Sequence, residues 1–179
     1  MMNKTVAWTV AICAILFSLF VLGGAKLHAE KEAAAAYFYQ GENQDGLSID
    51  HDLQQRAAAA YNLYTVASRY LPAENDALRR LLADREALLQ AESPADKFRA
   101  DQELGQSALN VYAALNGMAL SEQDQFYRNN LLQQMDSSAA TISHDGYNQR
   151  AREFNALRQG FPARIIAWLW RIRQLEYFS

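Results

Sequence analysis

Three histidines, one cysteine and a scatter of carboxylates are the residues of this 179-residue chain suited to acid–base, nucleophilic or metal chemistry. Their spacing sets up none of it. His28, His51 and His144 are not at the i, i+4 separation that aims two imidazoles at one ion, and no HExxH sequence occurs. His51 stands between Asp50 and Asp52, but neighbouring residues on a helix point apart and cannot share a metal. Asp84 and Glu86, like Asp101 and Glu103, lie two apart and fall on different sides of a helix. Cys13 is the only cysteine, so it forms neither an intramolecular disulfide nor a cysteine-based metal site. No GxSxG elbow, Walker loop, GxGxxG turn or CxxC pair is present, and the Glu-x-x-His pairs of diiron bundles are missing. The expectation is a protein without catalytic activity, metal or cofactor.

Patterned residues crowd instead into the C-terminal stretch YNQRAREFNALRQGFPARIIAWLW, residues 147–170. Tyr147-Asn148 recurs one heptad later as Phe154-Asn155. This spacing sets the rings on one helical face, filling a core, with the two amides one position round. There the amides would bond a neighbouring helix and fix its register. Phe161-Pro162 then stops the helix. The segment 163–173, ARIIAWLWRIR, aligns Ile165, Leu169 and Ile172 in one stripe with Ile166 and Trp170 beside it. Arg164 and Arg171 share the other side. Eleven residues are too few to span a bilayer. Two readings stand: a cap packed on the rest of the domain, or an interfacial helix. In the second, Trp168 and Trp170 sit at headgroup level while Arg164 and Arg171 meet lipid phosphate.

What must position these residues is helical throughout. Alanine is abundant and proline scarce, a composition that favours helix over sheet. Net charge is −3 and the pI near 5.6, which provides no overall basic field for holding nucleic acid. Residues 5–25 carry no charge, and their length as a helix matches a hydrocarbon core of roughly 30 Å. Gly23-Gly24-Ala25 would suit signal cleavage. The run nonetheless exceeds the roughly 7–15 apolar residues of a signal peptide, so it reads as an uncleaved, single-pass signal anchor behind a short head, 1–4. Residues 26–40 extend that helix, and GENQDG at 41–46 breaks it, so 26–46 form a juxtamembrane helix and turn.

Four helices with short connections follow, which makes an antiparallel, coiled-coil-like bundle. Ser48 caps the first, whose stripe is Ile49, Leu53, Ala57, Ala60, Tyr64, Ala67 and Leu71, and Pro72 ends it. The second runs from about Ala73 to Ala91. The third starts at Ser93-Pro94 and closes at Asn116-Gly117. The fourth starts at Ser121 and runs unbroken to about Gln159, with Phe126, Leu131, Met135, Ile142 and Leu157 on its apolar side. The alanine faces at 33–36 and 57–60 are small enough for close packing against a second copy.

These residues resemble the LemA family of bacterial membrane-anchored helical proteins. IDHDLQQRAAAAYNLYTVASRY (49–70) is similar to the family's first bundle helix through Asp50, Leu53, Arg56, Asn62 and Leu63. Tyr147, Asn148, Phe154, Asn155, Phe161 and Pro162 match its closing signature, and LEYF (175–178) its usual ending. The resemblance covers 47–179. Departures are Tyr61, where the family usually has proline, GENQDG in place of a helical segment, and GMALSEQDQFYR before the last helix. The resemblance implies a transmembrane helix followed by a bundle, in a family with no established enzymatic activity and no catalytic residues to carry over. The expected role is a scaffold or interaction protein of the bacterial inner membrane. Its soluble part lies on the extracytoplasmic side, and its partners are the membrane, other envelope proteins or a second copy. The alternative is a lipid-active protein that shapes or stabilises membrane through its C-terminal segment.

Overall fold

The computed structural model describes residues 4–42 and 45–179. The expected head, residues 1–3, and Asn43-Gln44 of the expected turn lie outside the described residues. Among the described residues there are seven α-helices and no strand: α1 Lys4–Gln40, α2 Ile49–Ala67, α3 Asp76–Gln90, α4 Pro94–Ala114, α5 Glu122–Ser143, α6 Tyr147–Gln159 and α7 Ala163–Leu169. The chain divides into two compact units, one of residues 1–36 with 149–175, the other of residues 37–148 with 176–179.

The expected anchor and its extension form one uninterrupted helix, α1. α1 ends where Gly41 takes a positive φ of 78° and Gly46 donates back to the Gln40 carbonyl. A Cβ at Gly41 would meet the Leu47 carbonyl at 2.0 Å, so the turn demands glycine both for conformation and for space. By length and composition α1 is the one helix among the described residues able to cross a membrane, and no other described residue covers its apolar window.

The larger unit holds the bundle of α2 to α5, with α2 packed on α3, α4 and α5, and α4 on α3 and α5. Three of its helices open as their sequence dictates. The hydroxyls of Ser48, Ser93 and Ser121 each accept from the backbone N–H three residues on, and Pro94 occupies the first turn of α4. α3 begins later than expected, at Asp76, because the Asn75 side chain accepts from Ala77 and Leu78 and supplies the cap. Ile49, Leu53, Leu63, Leu78, Leu81, Leu88, Leu104, Val111, Leu115 and Met135 fill the core.

The single helix expected over 122–159 is two. Asp145 stops it: its carboxylate accepts from Tyr147 N at 2.7 Å and starts α6 afresh. The Asp145-Gly146 pair is turn chemistry set inside an otherwise periodic run. Two expected core residues face outward. Phe126 is 62 % and Leu157 52 % exposed. On α5 the buried positions begin with Asp124 and Arg128, not with an apolar residue. Asp124 accepts from Tyr70 and from Arg69, both at 2.6 Å. Arg128 donates to the Tyr112 carbonyl and to Asn116, and lies over the Tyr112 ring. The alanine face at 57–60 is also not free for self-association, because Ala57, Ala59 and Ala60 are buried in the bundle.

Candidate functional site

The candidate residues fall in both units. In the larger one, Arg56 and Asp101 make a buried ion pair, Nε to Oδ1 at 2.5 Å, and Arg56 also donates to the Met135 carbonyl. Burial pushes the Asp101 carboxyl up, and Arg56 offsets this only partly. The pair borders a cleft of about 260 Å³ that Gln106, Leu132 and Asp136 also line. Asp50 pairs with Lys97 at 2.8 Å, Leu53 and Leu63 lie in the core, and Asn62 is on the exposed face of α2. Among the described residues no three His, Cys, Asp or Glu side chains gather at metal-binding distance. Within the bundle, Arg56 with Asp101 and Asp50 with Lys97 are each paired to one another.

The same unit holds the first aromatic-Asn pair. Tyr147 is buried against Phe38, ring centroids 5.0 Å apart, and its hydroxyl donates to the Glu176 carbonyl at 2.6 Å. Asn148 donates to the Phe178 carbonyl and accepts from its N–H, each at 2.8 Å. Phe178 is itself buried beside Phe38 and Phe98. The expected partner of the amide was a neighbouring helix; it is instead the extended C-terminal segment. The reason is chemical: an extended chain leaves its peptide N–H and C=O unpaired, and a carboxamide matches both at once.

The smaller unit repeats the arrangement. Phe154 is buried, and Asn155 exchanges two 2.9 Å hydrogen bonds with the peptide groups of Leu175. Arg158 donates to the Ile172 carbonyl at 2.8 Å. Beyond Arg171 the chain is neither helix nor strand, and its buried residues, Ile172 and Leu175 here and Phe178 in the larger unit, recur every three positions. Seven helical residues rise about 10.5 Å, and three extended residues cover roughly 10 Å. A spacing of seven between the asparagines therefore suits a spacing of three between their partners.

In this unit the tail also meets α1. α7 has seven residues, not eleven, and closes with Arg171 at φ 52° while Ile172 N–H bonds back to the Ala167 carbonyl. The stripe expected through Ile165 and Leu169 is on the wrong side. Ile166 and Ala167 are buried, whereas Ile165 and Leu169 are exposed, because the helix is apolar nearly all round and its pattern selects no face. A Cβ at Gly23 would stand 2.8 Å from Ile166 Cδ1, and one at Gly24 only 2.1 Å from the Trp170 indole. The glycines thus permit close approach, a use hidden while they read as cleavage-site residues. Of the remaining candidates, Phe161 joins Pro162 through a cis peptide, and Pro162, Arg164, Trp168 and Arg171 are all exposed.

Among curated proteins no match to the chain is found. The LemA family model matches residues 47–179, more than half of the chain and the whole stretch from the bundle to the clasped C-terminus. With Asn148 and Asn155 holding the LEYF ending in place, the chain belongs to the LemA family.

Proposed function

We propose that this protein is a membrane-anchored helical scaffold that recruits protein partners and performs no catalytic step. One observation carries the reading: among the described residues nothing covers the apolar window of α1. In water that surface would stay exposed with no compensating contact, whereas about 20 apolar helical residues suit a hydrocarbon core. Trp8, Ile15, Phe17 and Leu22 are among the side chains it leaves open.

The rest of the molecule suits presentation. Residues 41–148 carry sixteen acidic against eight basic side chains, so the bundle offers a negative surface for a complementary partner. We place the anchor in the bacterial inner membrane and the bundle outside the cytoplasm, where other envelope proteins or a second copy would meet it. Photo-crosslinking from exposed bundle positions in native membranes tests this. Discrete adducts support the scaffold; a protein that stays monomeric and partner-free at every position counts against it. A reporter fused after Ser179 fixes the side of the membrane.

A further inference from the structure

We infer that α7 is an interfacial helix, seated at the headgroup level of the leaflet through which α1 leaves the bilayer, with lipid as its occupant. This rests on the reading that α1 crosses the membrane.

The depth follows from the packing. Ile166 and Trp170 approach α1 at Gly23 and Gly24, and Leu27 of α1 shares a groove with Pro162, Ala163 and Ile166. Gly23 and Gly24 close the uncharged run that ends at Ala25, and Lys26 follows immediately. A run of 21 residues is about as long as the hydrocarbon core is thick, so its last turn marks the boundary between acyl chains and headgroups. α7 is therefore fixed at that depth by contacts within its own unit.

The outward face fits lipid and not water. Ile166 and Ala167 take the side toward the protein, and Ile165, Trp168 and Leu169 share the opposite side, with Trp168 77 % exposed and Phe161, just before the helix, 88 % exposed. Arg164 is the only charged residue of α7, so the helix has no polar face to show to solvent. A helix apolar on both sides is covered by something, and at this depth the cover is the acyl-chain boundary, where tryptophan also prefers to sit.

Charge agrees. Residues 149–175 contain six arginines and a single glutamate, in a chain whose net charge is −3. Arg171 occupies the left-handed position that usually goes to glycine at the end of a helix. A cation in that place, with Arg164 and Arg173 also exposed, suits anionic lipid phosphate.

The test uses the full chain in vesicles of three parts phosphatidylcholine to one part phosphatidylglycerol. Two single-tryptophan variants are needed: Trp8→Phe with Trp170→Phe, which leaves Trp168, and Trp168→Phe with Trp170→Phe, which leaves Trp8. Lipids brominated near the headgroup or near the chain end are compared with aqueous acrylamide as quenchers. The expected result is blue-shifted Trp168 emission, quenched more by the shallow bromolipid than by the deep one and weakly by acrylamide. Strong acrylamide quenching without bromolipid quenching overturns the inference, even where Trp8 is quenched by bromolipid and the anchor stands. Blue-shifted emission quenched by neither bromolipid overturns it too, in favour of a protein contact. Loss of bromolipid quenching at Trp8 removes the anchor and this inference together.

Discussion

Asn155 and Leu175 exchange two hydrogen bonds of 2.9 Å, the side-chain amide of one pairing with both peptide groups of the other. Asn148 treats Phe178 the same way at 2.8 Å. The recurring aromatic-Asn pair is therefore a device for holding an extended chain on a helix. The ring enters the core, and the amide one position round satisfies backbone that has no strand to pair with. Aspartate or glutamine would not replace it: one lacks the donor, and the other carries the amide a methylene too far.

Replacing Asn155 with leucine should leave the Leu175 N–H and C=O buried and unmatched, at about 1–3 kcal/mol for each group. Asn129 accepts a bond from the Tyr112 hydroxyl at an exposed site, so Asn129→Leu should change stability by only about 0.5 kcal/mol. Thermal unfolding of both variants in detergent measures the difference. Equal melting shifts would show that the double bond to Leu175 contributes nothing special.

Gly24 should tolerate no side chain. A Cβ there stands 2.1 Å from the Trp170 indole, and the ring has to leave its seat. Gly24→Val is expected to destabilise by about 1–3 kcal/mol through overpacking, and to shift the emission of a chain in which Trp170 is the only tryptophan. Ala29→Val, at an exposed position of α1, is the control. Unchanged Trp170 emission in Gly24→Val would mean that the ring is not held against α1.

How far the fold was readable depends on which residues take the buried positions. Where the buried face is apolar, as in α2 with Ile49, Leu53, Ala57, Ala60 and Ala67, periodicity and the Ser48 cap locate the start of the helix, although it ends at Ala67, four residues short of the Leu71-Pro72 stop. Where polar groups replaced it, the reading slipped. Asp124 and Arg128 hold core positions on α5 because their partners, Tyr70 and Tyr112, come from elsewhere in the fold. A hydrophobic pattern carries no sign of such partners, and so it points Phe126 inward although that side chain is exposed. α7 failed for the opposite reason: with apolar residues on every side, period alone could not choose a face. Asn148 and Asn155 were correctly singled out as bonding groups, but their partner was invisible until the three-residue period of Ile172, Leu175 and Phe178 was set beside their seven-residue spacing.

The Arg56–Asp101 pair should behave as a unit. Removing one partner strands the other charge, which typically costs about 3–5 kcal/mol, whereas replacing both with apolar residues is often nearly neutral. Arg56→Met and Asp101→Leu are each expected to destabilise strongly, and the double variant to recover most of the loss. Asp101 gives a further check. Its carboxyl is raised, by burial first, so its ionised form is disfavoured by folding. The associated stability is present below the ordinary value of 3.8 and is lost as pH rises through the folded value. A double-mutant cycle in urea, repeated at acid and neutral pH, reads both effects; additive single losses would rule out the coupling.

Alkaline unfolding should report on Tyr147. Burial, then the neighbouring Tyr39 and Glu176, pushes its phenol from 10.0 up to about 12. Between those values the unfolded chain gives up this proton and the folded chain keeps it, so ionisation pulls the equilibrium toward unfolding. Stability from this group is complete below pH 10 and drains away as pH climbs toward 12. Tyr147→Phe loses the hydrogen bond to the Glu176 carbonyl, about 0.5–1.5 kcal/mol, and should be the weaker protein at neutral pH. It keeps the ring against Phe38 but has no proton to lose, so its stability should fall less steeply with pH. Denaturation midpoints measured from neutral pH to pH 12 should therefore converge between wild type and variant. Parallel curves would mean that the Tyr147 hydroxyl titrates as it does in the unfolded chain, and that its bond to Glu176 does not hold the C-terminus down.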